Sequence, residues 1–162
     1  MGIVIRKLTK KLWLDLEIAN ELGGLQGDAL KNFATTSNTL SLFYIDDTVT
    51  PERVAAVIAL GRNQFDIVDY ALFDEAILGE IGLELDKKPG TTVDVLVNGS
   101  HVNVVRLTAE KVRALAERIQ LTGQLKTLTT QRLIALSKKL VADGAIALEK
   151  VNPKLLPDLC DT

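Results

Sequence analysis

Histidine and cysteine, the side chains that most often act as general bases, nucleophiles and soft-metal ligands, each occur once in this chain of 162 residues. No motif around His101 indicates a nucleophile and an orienting acid close to it in space, and Cys160 lies two residues from the C-terminus. Neither residue belongs to a recognisable catalytic or metal-binding motif. We therefore expect no catalytic residue and no cofactor, and we favour a non-enzymatic protein.

Carboxylates could bind a metal ion and support catalysis here only if several of them lie close together in the folded chain. Acidic residues flank two predicted strands, at Asp46, Asp47, Asp69, Asp74 and Glu75. Convergent carboxylates can hold Mg²⁺ and support phosphoester hydrolysis, because hard cations prefer oxygen ligands. Aspartate also ends strands and opens turns for its own hydrogen-bonding reasons. A divalent-metal-dependent phosphoester hydrolase therefore stays open as an alternative function.

Charge is distributed unevenly along the chain. Residues 1–105 contain 9 Lys/Arg and 15 Asp/Glu, whereas residues 106–162 contain 10 and 6. The basic residues of the C-terminal part that could form a nucleic-acid surface are Arg113, Arg118, Lys126, Arg132, Lys138 and Lys139. Glu110 and Glu117 interrupt this set, so nucleic-acid binding is only a further alternative. A basic face could equally meet an acidic partner, including the acidic half of another copy.

One predicted helix carries unusually little polar surface. Thr50 and Pro51 are typical of a helix start, and after Arg53 no polar residue occurs before the helix ends near Leu60. A helix that is apolar all round either packs within the core or binds a partner. If it binds a partner, the interface residues are Val54, Val57, Ile58 and Leu60. The leading hypothesis is thus a protein-interaction module of bacterial type (an adaptor, regulator or inhibitor), for which homodimerisation is one form.

The elements predict an α+β fold. Strands are expected at 3–8, 11–18, 40–45 and 67–73, and Asn98-Gly99 between two β-branched runs predicts a tight hairpin over 91–105. Helices are expected at 51–60, 109–121 and 130–142. We expect one domain over 1–162, with a sheet-rich part (1–107), a helical part (108–151) and a frayed tail (152–162). The sheet should be mostly antiparallel, with the 51–60 helix buried on it and the two C-terminal helices packed together on one side.

The sequence indicates in which cellular compartment we expect the protein. A single cysteine cannot form an internal disulfide, and no apolar run approaches the ~20 residues of a membrane span. The first residues lack the pattern of a secretory signal. We expect a cytoplasmic protein whose partner is another protein or a second copy, with no membrane association.

Overall fold

The computed structural model describes residues 2–13, 21, 24–33 and 38–160. Within these residues six strands form one sheet. They are β1 (Ile3–Leu8), β2 (Leu40–Ile45), β3 (Val68–Asp74), β4 (Glu84–Asp86), β5 (His101–Val105) and β6 (Gln124–Leu128). The strand order is β4-β5-β2-β1-β3-β6, and every neighbouring pair is antiparallel. The predicted α+β class with an antiparallel sheet is confirmed.

Helices cover both faces of this sheet. The α-helices among the described residues are α1 (Pro51–Leu60), α2 (Ala76–Glu80), α3 (Val95–Ser100), α4 (Ala109–Thr122), α5 (Thr130–Ala142) and α6 (Leu156–Cys160). Short 3₁₀ segments occupy Lys10–Leu12, Gly27–Phe33, Leu148–Lys150 and Pro153–Leu155. The predictions for 51–60, 109–121 and 130–142 are confirmed to within one residue.

The three longest helices begin where the sequence predicts, because a threonine hydroxyl caps each of them. The side chains of Thr50, Thr108 and Thr129 accept hydrogen bonds from the backbone N–H groups three residues later, over 3.2, 3.2 and 3.3 Å. Each cap satisfies an N–H group that the first helical turn leaves without an intrahelical partner.

Two hydrophobic clusters lie on opposite faces of the sheet. Alternate strand residues point to opposite faces, so Val4 belongs to one cluster and Ile5 to the other. The Val4 cluster packs against the 27–33 segment and α4, while the Ile5 cluster packs against α1 and α5. The sheet is therefore the middle layer of three.

The placement of the two C-terminal helices on one side of the sheet is wrong. Leu115 and Ile119 of α4 lie in the Val4 cluster, whereas Leu133 of α5 lies in the Ile5 cluster. The chain between them is not a short turn but the edge strand β6, which pairs with β3. After completing β6 at the edge, the chain continues onto the other face.

The predicted 91–105 hairpin is also wrong. Residues 95–100 form helix α3, which contains Asn98 and Gly99, and only 101–105 is a strand. Asp94 causes the difference, because its carboxylate accepts from the N–H groups of Leu96 (2.9 Å) and Val97 (3.2 Å) and so begins a helix. The strand β5 pairs with β2 and β4 instead of with 91–97.

Two smaller expectations need correction. Instead of a strand over 11–18, the chain forms a 3₁₀ segment over Lys10–Leu12, and residues 14–18 lie outside the described residues. The predicted frayed tail is ordered as far as Cys160, because the Leu155 side chain is fully buried in the Ile5 cluster. Among the helices that the structure describes, none has both the length and the apolar character required to cross a bilayer.

Candidate functional site

One end of the sheet gathers His101 and four of the five acidic residues predicted as metal ligands. The strands β2, β3 and β4 finish at this end, which we call the front end, and β1 and β5 begin there. The register aligns Ile3 with both Ile45 and Asp74, and Phe43 with His101. Across the front end, the order of chain segments is therefore 86–88, 100–101, 45–47, 2–3 and 74–75.

This order separates the charges. Lys87 and Lys88 follow β4 on one side, whereas Asp46 and Asp47 follow β2 further across. Asp74 and Glu75, at the end of β3, extend the acidic side beyond β1. Lys88 pairs with Asp86 on the basic side. Strand order places the charged runs 87–88, 46–47 and 74–75 so that the front end changes from basic to acidic along the sheet.

The acidic residues predicted as metal ligands do not all converge. Asp69 lies at the opposite end of β3, where it pairs in register with Leu8. Asp46 accepts from Thr48 and Val49, and Asp74 accepts from the N–H of Ala76. Within the described ranges no three His, Cys, Asp or Glu side chains form a group that could hold a metal ion.

Burial and hydrogen bonding shift the pKa of two groups at the front end. The N–H of Val49, followed by the hydroxyl and N–H of Thr48, holds the pKa of the Asp46 carboxyl below its ordinary value. The Tyr44 hydroxyl donates to Glu75 Oε1 over 2.9 Å. Burial, reinforced by this bond to Glu75, raises the pKa of Tyr44.

His101 is held in one orientation at the start of β5. Its Nδ1 lies 2.7 Å from the carbonyl oxygen of Lys88. A carbonyl oxygen only accepts, so Nδ1 carries the proton and, in the neutral ring, Nε2 is left as an acceptor. The ring packs edge-on against Phe43, with centroids 5.2 Å apart. His101 is half-buried at the start of its strand.

A cavity of about 500 Å³ opens between these segments. Its polar lining comes from Tyr44, Asp46, Lys87 and His101, together with Thr48 and Ser100. The Lys87 ammonium lies 5.8 Å from the centroid of the Tyr44 ring, within range of a cation–π interaction. Leu96 of α3 supplies part of the apolar wall.

Helix α3 is fixed beside this cavity by polar contacts that point inward. Arg53 Nε of α1 donates to Asp94 Oδ2 over 2.7 Å, and the Asp94 side chain is only 1% exposed. Asn98 accepts at Oδ1 from the Thr92 N–H and hydroxyl, both at 2.7 Å, and its Nδ2 donates to the Thr92 carbonyl at 2.9 Å. The N–H of Gly90 also donates to the Asn98 carbonyl. The 88–101 segment is thus held at both of its ends and in the middle.

The apolar side chains at the start of α3 point the other way. Val95 is 73% exposed and Leu96 is 49% exposed, although both directly follow the buried Asp94. The hairpin prediction does not reveal this surface, because it places both residues in a strand. Asp94 ahead of an apolar run is the one local signal that could have indicated a helix N-cap.

The four residues predicted as an interface on α1 lie elsewhere. Val54, Val57 and Leu60 are at most 1% exposed and belong to the Ile5 cluster, while Ile58 is half-buried and packs against it. These side chains cover the sheet of their own chain, so the core alternative for this helix holds.

The basic residues predicted for nucleic-acid binding do not form one face. Arg113 and Arg118 on α4 pair with Glu117 and Glu80, respectively. The others lie on the edge strand and on α5, which covers the opposite face of the sheet: Lys126, Arg132, Lys138 and Lys139. The sheet therefore stands between the two groups.

Comparison of this chain with models of protein families, with curated proteins and with solved structures found no match. Any functional assignment consequently depends on the geometry of the chain itself.

Proposed function

We propose that the chain is a protein-interaction module that pairs with a second copy of itself through the front-end surface, which consists of the cavity lined by Lys87 and Leu96 together with the exposed Val95 and Asp47. The observation that supports this most strongly is the inversion at 94–96. A carboxylate is buried there, whereas the two aliphatic residues after it are exposed. Two neighbouring aliphatic side chains on an ordered segment offer apolar area that contact with another molecule would bury.

The distribution of charge over the front-end surface supports a second copy of the chain as the binding partner. In a two-fold symmetric dimer the same patch meets itself after a rotation, so a patch that carries both signs can be its own complement. The front end has Lys87 on its β4 side and Asp47 beyond β2. A rotation about an axis through the patch brings the basic side of one copy to the acidic side of the other. The net charge of −2 adds little repulsion between copies.

The rigidity of α3 favours association. Binding loses less free energy to ordering when the contact residues are already held in place. Asp94, Asn98 and His101 hold the 88–101 segment through hydrogen bonds of 2.7–2.9 Å to Arg53, Thr92 and Lys88. The dimer contact would therefore be built on an ordered segment.

The first experiment measures association by sedimentation velocity and light scattering up to high micromolar concentrations. Leu96→Asp should weaken self-association by about tenfold or more, because it places a charge in the apolar centre of the contact. Leu121→Asp is the matched control, since Leu121 is 55% exposed at the end of α4, which covers the other face. A wild-type chain that stays monomeric, or equal effects of the two substitutions, contradicts the proposal.

A charge-reversal experiment tests the orientation of the two copies. Lys87→Asp and Asp47→Lys should each weaken self-association, because each places like charges across the interface. An equimolar mixture of the two variants should form a heterodimer, since both cross-interface contacts then join opposite charges. Failure of the mixture to associate better than either variant alone would show that these residues do not face each other.

A further inference from the structure

A second cavity, of about 540 Å³, lies at the back end of the sheet, where β1 finishes and β3 begins. Three cationic side chains from three segments line it. Lys7 comes from β1, Lys11 from the 3₁₀ segment after β1, and Arg62 from the turn after α1. This cavity lies at the opposite end of the sheet from the front-end surface, so its ligand binding is independent of the proposed dimer.

The carboxylates in this cavity are directed toward other groups. Asp69 accepts at Oδ1 from the Thr127 hydroxyl (2.7 Å) and at Oδ2 from the Lys10 N–H (2.8 Å). Asp66 Oδ1 accepts from the N–H of Ile67 over 2.7 Å. Among the residues that the structure describes, none of the three cations forms an ion pair with either carboxylate. The cations thus share a cavity without a bonded counter-charge.

Arg62 is held in position before any ligand arrives. Its Nη1 donates to the carbonyl oxygen of Ile67 over 3.0 Å and lies 3.4 Å from that of Asp66. Its own carbonyl accepts from the side-chain amide of Asn152 over 2.9 Å. These contacts hold Arg62 at the cavity that Lys7 also lines.

The pKa of Lys7 is sensitive to the positive charges around it. Its pKa is lowered by burial first, and then by the charges of Arg62 and Arg6. A bound anion would offset both the repulsion and the lost hydration. Beside the cations, Ile67 is 49% exposed and Leu8 is buried, so the cavity also has an apolar wall.

We propose that this cavity binds a small phosphate monoester, whose phosphoryl group contacts Lys7, Lys11 and Arg62 and whose organic group packs on Ile67. Two ammonium groups and the N–H groups of Arg62 that do not bond to Ile67 match the charge and the several acceptor oxygens of a phosphate dianion better than those of a carboxylate. The exposed Ile67 side chain favours an ester over inorganic phosphate.

Isothermal titration calorimetry with phenyl phosphate, at constant ionic strength, tests this site. Lys7→Gln should weaken binding about tenfold, as expected for the loss of one charge-assisted contact. Lys139→Gln is the matched control, because it removes the same charge from α5, away from the cavity, and should leave the affinity unchanged. Ile67→Ser should weaken binding of phenyl phosphate while leaving that of inorganic phosphate unaltered.

Three results overturn the inference. The first is the absence of measurable phenyl phosphate binding by the wild-type chain. The second is an equal loss of affinity in Lys7→Gln and Lys139→Gln, which indicates general attraction rather than a site. The third is binding of a single-stranded oligonucleotide that depends on Lys7 while phenyl phosphate does not bind, which assigns the cluster to nucleic acid. Urea unfolding of each variant confirms that it is folded.

Discussion

The ion pair between Arg53 and Asp94 offers the sharpest test of how the front-end surface is built. Asp94 has two separate roles, because Oδ2 accepts from Arg53 Nε while Oδ1 caps α3 at the N–H groups of Leu96 and Val97. Asp94→Asn removes the charge but keeps an oxygen that can cap the helix. Asp94→Ala removes both roles, so the two variants separate them.

The magnitudes follow from burial. Arg53 is 18% exposed and Asp94 is 1% exposed, so Asp94→Asn leaves a guanidinium largely buried without its counter-charge. Loss of one partner of a fully buried pair destabilises by roughly 3–5 kcal/mol, and the partial exposure of Arg53 reduces this to about 2–3 kcal/mol. Asp94→Ala should lower the free energy of unfolding by about 1 kcal/mol more, the usual contribution of an N-cap.

Equilibrium urea unfolding, followed by circular dichroism and by the fluorescence of the single tryptophan, Trp13, measures these differences. The double variant Arg53→Met with Asp94→Asn contains no buried charge at this position. Its stability should lie within about 1 kcal/mol of the wild type, which means that the two substitutions are strongly coupled. A change of less than about 0.5 kcal/mol in Asp94→Asn, or additive effects of the two single substitutions in the double variant, would refute this role of the ion pair.

Two other predictions address the turn and the acidic side of the front end. Gly99→Ala should raise the free energy of unfolding by about 0.5–1 kcal/mol, because Gly99 is helical and has open space around it. Gly144→Ala should lower the free energy of unfolding, because Gly144 has a φ of +70°. Urea unfolding measures both, and a destabilising Gly99→Ala would favour a hairpin turn at this position. The pKa of Asp46 in the folded state lies below 3.8, so its stabilising contribution is complete above that pH and is lost as the pH falls through the lowered value. Stability measured from pH 6 to pH 3 should therefore fall less steeply in Asp46→Asn than in the wild type, and parallel profiles would contradict the role of this carboxylate.

Local signals explain the elements that the sequence predicts correctly. Thr50 with Pro51, Thr108 and Thr129 each begin a helix through contacts with residues three positions away. Such contacts depend on neighbouring residues only, so they can be recognised without knowledge of the fold. The strands β1 and β2 are predictable for a similar reason, since β-branched or continuous apolar runs are typical of buried strands.

The elements that the sequence does not reveal depend on distant residues. The residue that caps helix α3, Asp94, is paired with Arg53, which lies 41 positions earlier in the chain. In the sequence alone, the Asn98-Gly99 pair between β-branched residues favours a hairpin turn. The edge strand β6 gives no clear signal, because most of its residues are exposed and its pairing with β3 spans more than 50 positions.

The candidate site is predictable only in part, because strand order determines it. The sequence indicates that Asp46 and Asp74 would meet if β2 and β3 were neighbours. The strand β1 lies between them, so the two carboxylates share the front end without sharing a partner. The same order places Lys87, after β4, at the opposite side of that end. No property of the individual residues reveals this arrangement.

The inversion at 94–96 has a cost to the isolated chain that association would offset. Burying the Asp94 carboxylate requires loss of its hydration. Val95 at 73% and Leu96 at 49% exposure forgo part of the about 1.5–3 kcal/mol that full burial of each side chain would contribute. Contact with another molecule would bury these two side chains and recover that stabilisation. The segment that carries them is already ordered by Arg53 and Asn98. Because Asp94→Asn disturbs the support without touching the contact residues, it should weaken self-association together with stability, whereas Leu96→Asp should weaken association alone.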